Sequence, residues 1–193
     1  WKERIIPFMA SFVVYNANSL HNTQLFPDKP CCFLQHLLNS LADFAFVLET
    51  HFTPTDNPWA LIPNAIFASC MQKQRGCALI PLQPGVHFSN PHTDKEGWWI
   101  TATVHTPHFP PMRMCGVYAP NSGHHEFIKK ILRVAADCEL ILGDFNFTMR
   151  YGDRSPPSPL DSEVITCLNA LSTAGYTDLA PTGSSHNFTH RNR

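Results

Sequence analysis

Four clusters of polar residues, each following an apolar run, carry groups able to work on a phosphoester. They are Asn16 with Asn18, Glu49, Tyr118 to Asn121, and Asp144 with Asn146. Glu49 closes the run Phe44-Ala45-Phe46-Val47-Leu48. A carboxylate buried there without a partner is costly, so it needs hydrogen bonds or a cation. The ion that suits it is a hard one such as Mg²⁺, which takes oxygen ligands and keeps water beside one or two carboxylates. The plainer reading is a surface acid at a strand end. Asp144 and Asn146 lie in Leu140-Ile141-Leu142-Gly143-Asp144-Phe145-Asn146. Gly143 lets the chain turn sharply, and residues two apart on extended chain point to one side. The Asp can hold or deprotonate a water, and the amide can donate to a phosphate oxygen. A tight turn with an Asx hydrogen bond fits the same spelling. Tyr118, in Gly116-Val117-Tyr118-Ala119-Pro120-Asn121, offers a phenol to a phosphate or fills half-buried core. Asn16 and Asn18 offer amides that orient a metal ligand, or cap a turn.

Strand ends are where a rigid scaffold holds such groups in place, and the apolar runs supply the strands. Phe8 to Tyr15, Phe44 to Leu48, Trp98 to His105, Met112 to Tyr118 and Glu139 to Leu142 read as strands. Ala65 to Cys70 and Cys77 to Pro81 read as a hairpin around the polar stretch Met71 to Gly76. Helical spacing places Leu34, Leu37, Leu38 and Leu41 on one face after Pro30. It predicts a second helix over His124 to Ala136, with Phe127, Ile131, Val134 and Ala135 inward, and a third through Val164, Leu168 and Leu171. Runs of strands broken by single helices point to two packed sheets with helices outside, not to a singly wound sheet. Phe188 and Thr189 open a last strand near the end of the sequence. The proline-rich stretches Thr50 to Pro63 and Tyr151 to Pro159 are loops.

Composition narrows the function. The 193 residues suit one domain with a sizeable core. With 14 basic and 15 acidic residues there is no bulk charge to attract nucleic acid, so any basic footprint is local. A divalent cation held by carboxylates supplies positive charge where a polyanion reacts. Seven cysteines without a Cys-x-x-Cys pair read as free, mostly buried thiols of a reducing compartment. No run is long and apolar enough for a membrane span. The expected setting is intracellular, without a membrane. The opening Trp1 in place of Met suggests a chain cut from a longer polyprotein.

Taken in order, Tyr15-Asn16-Ala17-Asn18-Ser19-Leu20, Glu49-Thr50-His51, Gly76-Cys77-Ala78-Leu79-Ile80, Val117-Tyr118-Ala119-Pro120-Asn121 and Gly143-Asp144-Phe145-Asn146 resemble the endonuclease/exonuclease/phosphatase superfamily. The Glu-Thr-His and Tyr-Ala-Pro-Asn spellings are similar to the apurinic-like endonucleases of LINE-type (non-LTR) retrotransposons. The resemblance runs from about Phe8 to Thr189. It implies an α/β DNase-like sandwich of two β-sheets flanked by helices. It also implies Mg²⁺, with Mn²⁺ as a substitute, and cleavage of DNA phosphodiester bonds. Asn16 and Glu49 match its metal-binding pair, Tyr118 its phosphate-contacting tyrosine, Asp144 the residue that aligns or activates water, and Asn146 the amide beside it. Asn18, Asn121 and Thr189 stand as substrate-binding positions.

The family continues to a Ser-Arg-Ile-Asp-like segment and an Asp-His pair, whose His contacts the scissile phosphate. This sequence stops at His190-Arg191-Asn192-Arg193, before both. Neither His186 nor His190 follows an Asp, so neither takes that role. The reading is therefore one endonuclease domain over residues 1–193, truncated at its C-terminus and lacking its last strands, as a fragment or a degenerate copy. The family implies a reverse transcriptase in the same polyprotein, DNA as partner, target-site nicking as the task, and a nuclear location. Two other readings remain: a same-fold phosphoesterase acting on RNA, phospholipid or inositol phosphate, and an inactive nucleic-acid-binding remnant.

Overall fold

The computed structural model of the chain describes residues 10–21, 27–148 and 159–179. They fall into two compact units. The first comprises the described residues up to Tyr118 together with Asp137–Asp144; the second takes Ala119–Ala136 and the described residues from Phe145 onward.

Among the described residues, the first unit holds every strand. One sheet is built from β1 (Phe12–Asn16), β2 (Phe44–Leu48), β3 (Ile66–Ala68) and β4 (Cys77–Pro81), in the order β1-β2-β4-β3. The other is built from β5 (His87–Thr93), β6 (Trp99–Thr106), β7 (Phe109–Tyr118) and β8 (Leu140–Asp144), in sequence order. Each sheet has one parallel pair, β1 with β2 and β7 with β8, and its other pairs are antiparallel. A parallel pair needs a long crossover connection. Helix α1 (Lys29–Leu38) lies on the first crossover and α2 (His124–Val134) on the second.

Alternation sorts the core. Phe44, Phe46 and Leu48 of β2 join Cys77 and Leu79 of β4, Ile100, Ala102 and Val104 of β6, Met114 of β7 and Leu142 of β8 in one buried cluster between the sheets. The intervening Ala45, Val47, Ala78 and Ile80 face the other way, onto Leu37 of α1 and onto Phe52 and Trp59 of the loop after β2. Because β2 is covered on both faces, its sequence is a continuous apolar run with no polar alternation. The ring of Phe46 fills the space that a side chain at Gly116 would occupy, which lets the two sheets approach closely there.

The second unit holds α2 and α3 (Ser162–Thr173), which pack together. The Asp161 side chain caps α3 by accepting from the Glu163 N–H at 2.8 Å. The Glu163 side chain in turn accepts from the His125 N–H at 3.0 Å, at the start of α2.

Two expectations change, and one strand was not foreseen. Leu41 is not on the α1 face: the helix ends at Leu38, and Leu41 sits beyond it with a φ of 59° and 80% exposed. Ile128, not Val134, joins Phe127, Ile131 and Ala135 as buried residues of the α2 region. Strand β5 carries no apolar run. It is a largely exposed edge strand with Pro91 and a bulge between Ser89 and His92, both tolerated where one side of the ladder is unpaired. The strand expected through Phe188 and Thr189, and most of the loop from Tyr151, lie outside the described residues.

All seven cysteines are free thiols; Cys31 and Cys32 are exposed and the other five buried. Burial pushes the Cys77 and Cys115 thiols up strongly, and those of Cys138 and Cys167 to about 11. The thiolate is the reactive form. In the native protein a disulfide reagent at pH 8 is therefore expected to titrate Cys31 and Cys32 quickly and the remainder only on unfolding. Fast titration of all seven would contradict the burial described.

Candidate active site

The strand ends bring three of the sequence-predicted residues together. Asn16 is the last residue of β1, Glu49 follows β2, and Asp144 is the last residue of β8, in the opposite sheet. The Asn16 amide nitrogen donates to Glu49 Oε1 at 2.6 Å and reaches Asp144 Oδ2 at 3.3 Å. Its amide oxygen accepts from the Asn18 N–H at 2.9 Å, which sets the amide with its NH₂ toward the carboxylates. Tyr118 ends β7 directly opposite Asp144 in the parallel register. Asn16, Glu49, Asp144 and Tyr118 all belong to the first unit.

The backbone around these groups is unusual. Asn18, Ser19, Glu49 and His51 all have positive φ, between 45° and 69°. Residues other than glycine pay for that conformation, and such outliers collect where structure fixes a functional group. Main-chain bonds hold it in place: the Ser19 N–H donates to the Glu49 carbonyl at 2.9 Å, and the Leu20 N–H to the Thr50 carbonyl at 3.1 Å. Lys29 reinforces the turn by donating to the carbonyls of Asn18 and Ser19.

His51 stands beside the cluster, with Nε2 3.9 Å from Glu49 Oε2. The sequence spelled it within Glu-Thr-His but gave it no role; only its fixed distance from Glu49 marked it, and that is not visible in spacing. Burial lowers its affinity for a proton below the ordinary value of 6.5; Glu49 opposes the shift, while His21 and Lys29 assist it. As pH falls, the unfolded chain takes up this proton first. The stabilising contribution of neutral His51 is therefore complete above pH 6.5 and is lost as pH falls through the lower, folded value. An NMR titration of the His51 ring is expected to give a midpoint below 6.5; a midpoint above it would reverse the assignment.

The donor set fits a hard divalent cation. Two carboxylates from different sheets meet across one amide, and like charges this close are eased by a cation. Among the described residues no group of three His, Cys, Asp or Glu side chains gathers to hold a metal ion. An ion here would rest on Glu49 and Asp144, with water completing its shell as Mg²⁺ accepts, and not on the expected pair of Glu49 and Asn16, because Asn16 turns its amide nitrogen to the carboxylates and its oxygen to the Asn18 N–H.

The other expected site residues belong to the second unit or fall outside the described residues. Asn146, with a φ of 53°, donates from its side-chain amide to the Ala119 carbonyl. Asn121 is exposed in the segment before α2. Thr189 lies outside the described residues. Among the described residues no helix is long and apolar enough to cross a membrane.

No family model matches the chain. Solved structures do. An AP endonuclease from Archaeoglobus fulgidus superimposes with a TM-score of 0.63 at 14% identity, over 88% of this chain and 72% of that one. A 3′ phosphatase, NExo (D146N) from Neisseria, bound to a product DNA hairpin, gives 0.61 at 18% identity, over 86% and 71%. The endonuclease domain of TRAS1, a telomere-specific non-LTR retrotransposon, gives 0.58 at 11% identity, over 84% and 71%. The fold agrees with the resemblance read from the motifs. With two mixed sheets enclosing one core and polar residues of both sheets meeting at their strand ends, the chain has the α/β DNase-like fold of these structures.

Proposed function

We propose that this chain carries a Mg²⁺-dependent endonuclease that hydrolyses DNA phosphodiester bonds. The observation that supports it most is the Asn16-centred cluster, in which two carboxylates from separate sheets converge beside Tyr118. Glu49 and Asp144 would hold a divalent cation, which would supply positive charge close to the reacting phosphate. Asn16 orients both carboxylates. Asp144 accepts a proton as a water attacks phosphorus; the new P–O bond forms as the bond to the 3′-oxygen breaks. The Tyr118 phenol donates to a non-bridging oxygen. Asn18 contacts the substrate strand. The TRAS1 likeness and the Glu-Thr-His and Tyr-Ala-Pro-Asn spellings favour a target-site nick that primes reverse transcription, within a polyprotein that works in the nucleus. The NExo likeness supports a second reading, action at DNA 3′ ends.

The test is supercoiled-plasmid nicking by the full reading frame that carries these residues, with Mg²⁺ and with chelator, beside a 3′-phosphorylated oligonucleotide. Conversion to nicked circles with Mg²⁺ alone is expected. Release of phosphate from the oligonucleotide without nicking would move the assignment to the second reading. Inactivity on both would remove it.

A further inference from the structure

Beside the carboxylates, three side chains from separate elements stack on one another. Trp98, just before β6, lies against Tyr118, with ring centroids 5.8 Å apart and planes 30° from parallel. Arg75, from the β3–β4 loop, sets its guanidinium carbon 4.1 Å from the centroid of the Trp98 ring. Glu96 ties the pair together: its Oε2 accepts from Arg75 Nη1 at 3.1 Å and from Trp98 Nε1 at 3.0 Å. The Tyr118 N–H donates to the Trp98 carbonyl at 2.7 Å, so the backbones that place indole and phenol are also joined.

We propose that Arg75 is a phosphate-binding residue for the DNA backbone next to the reacting phosphodiester, with Glu96 as its exchangeable counter-ion in the free protein. The inference rests on the nuclease reading and deepens it. A guanidinium fork matches two phosphate oxygens in parallel. Stacking on the indole fixes its plane before the ligand arrives, which lowers the cost of ordering it on binding. Glu96 is 68% exposed on its side chain while Arg75 is 21% exposed, so the carboxylate is the partner that can swing away. An ion pair this open to water holds weakly, and a phosphate can replace it. The position matters because Tyr118, on which the stack is built, lies opposite Asp144. A chain with a net charge of −1 needs such local cations to hold a polyanion.

The two partners give tests of opposite sign. The probe is a fluorescein-labelled duplex DNA oligonucleotide, followed by anisotropy across a salt series without divalent metal. Arg75→Gln is expected to weaken binding about 5- to 10-fold at low salt and to reduce the slope against log salt by about 1. Glu96→Gln keeps an acceptor for Trp98 and is expected to tighten binding about threefold, because the competing charge is gone. A folding defect would weaken both variants. Binding of Arg75→Gln within twofold of the unaltered chain overturns the proposal, as does weaker binding by Glu96→Gln. If the unaltered chain does not bind DNA at all, the nuclease reading falls and takes this one with it. If it binds and nicks while Arg75→Gln behaves identically, only this inference falls.

Discussion

Glu49→Gln is expected to slow Mg²⁺-dependent nicking by about 10³-fold or more, a loss of roughly 4 kcal/mol of transition-state stabilisation. The substitution keeps the shape of the side chain and removes its charge. Gln can still accept from Asn16, so the hydrogen bond at 2.6 Å has a successor and the strand end keeps its conformation. The half of the proposed cation site that Glu49 would supply is lost. Asp144→Asn should be comparably severe, since in the proposed mechanism it would remove both a metal-side oxygen and the proton acceptor. The two effects should not add, because both groups serve one transition state. Single-turnover nicking rates, with circular dichroism to show that each variant is folded, measure this. A loss below about tenfold for Glu49→Gln would remove the carboxylate from the mechanism.

The largest expected stability effect comes from Gly143→Ala. Gly143 has a φ of 139°, a region that side-chain-bearing residues rarely adopt. A Cβ there would overlap the carbonyl of Val117, its paired residue on β7, and backbone cannot withdraw as a flexible side chain can. The strain and the steric conflict together should cost about 3 kcal/mol or more. For a protein of this size that lowers the thermal midpoint by about 10 °C. The same glycine sets the direction in which Asp144 leaves β8, so the variant should lose nicking activity even at temperatures where it remains folded. Melting followed by circular dichroism decides the first point; an unchanged midpoint would mean that β7 and β8 adjust without penalty.

Much of the framework was legible in the residues. Apolar periodicity records burial, and burial repeats every two residues on a strand and about every 3.6 on a helix. That is why the helices around Leu37, Ile131 and Val164 could be read directly, while Phe44–Leu48 and Cys77–Pro81, buried on both faces, were legible as short continuous apolar runs. The same logic located Asn16, Glu49, Tyr118 and Asp144, because a polar residue closing an apolar strand stands where a scaffold can present it. Strand β5 was illegible for the converse reason. Its residues are mostly exposed on an edge, so no burial pattern is written into His87–Thr93.

What the sequence by itself determined was a set of strands with chemically able groups at their ends, in an order that resembles the DNase-like nucleases. What only the tertiary structure decided was which of those groups meet. Asn16 and Asp144 are 128 residues apart, and their approach to 3.3 Å follows from the pairing of β1 with β2, the pairing of β7 with β8, and the packing of one sheet on the other. The stack of Arg75, Trp98 and Tyr118 likewise joins three elements through ring contacts that leave no periodic trace. Local patterning reports only the environment of one element at a time. Convergence between elements depends on register and sheet packing, which are properties of the folded chain.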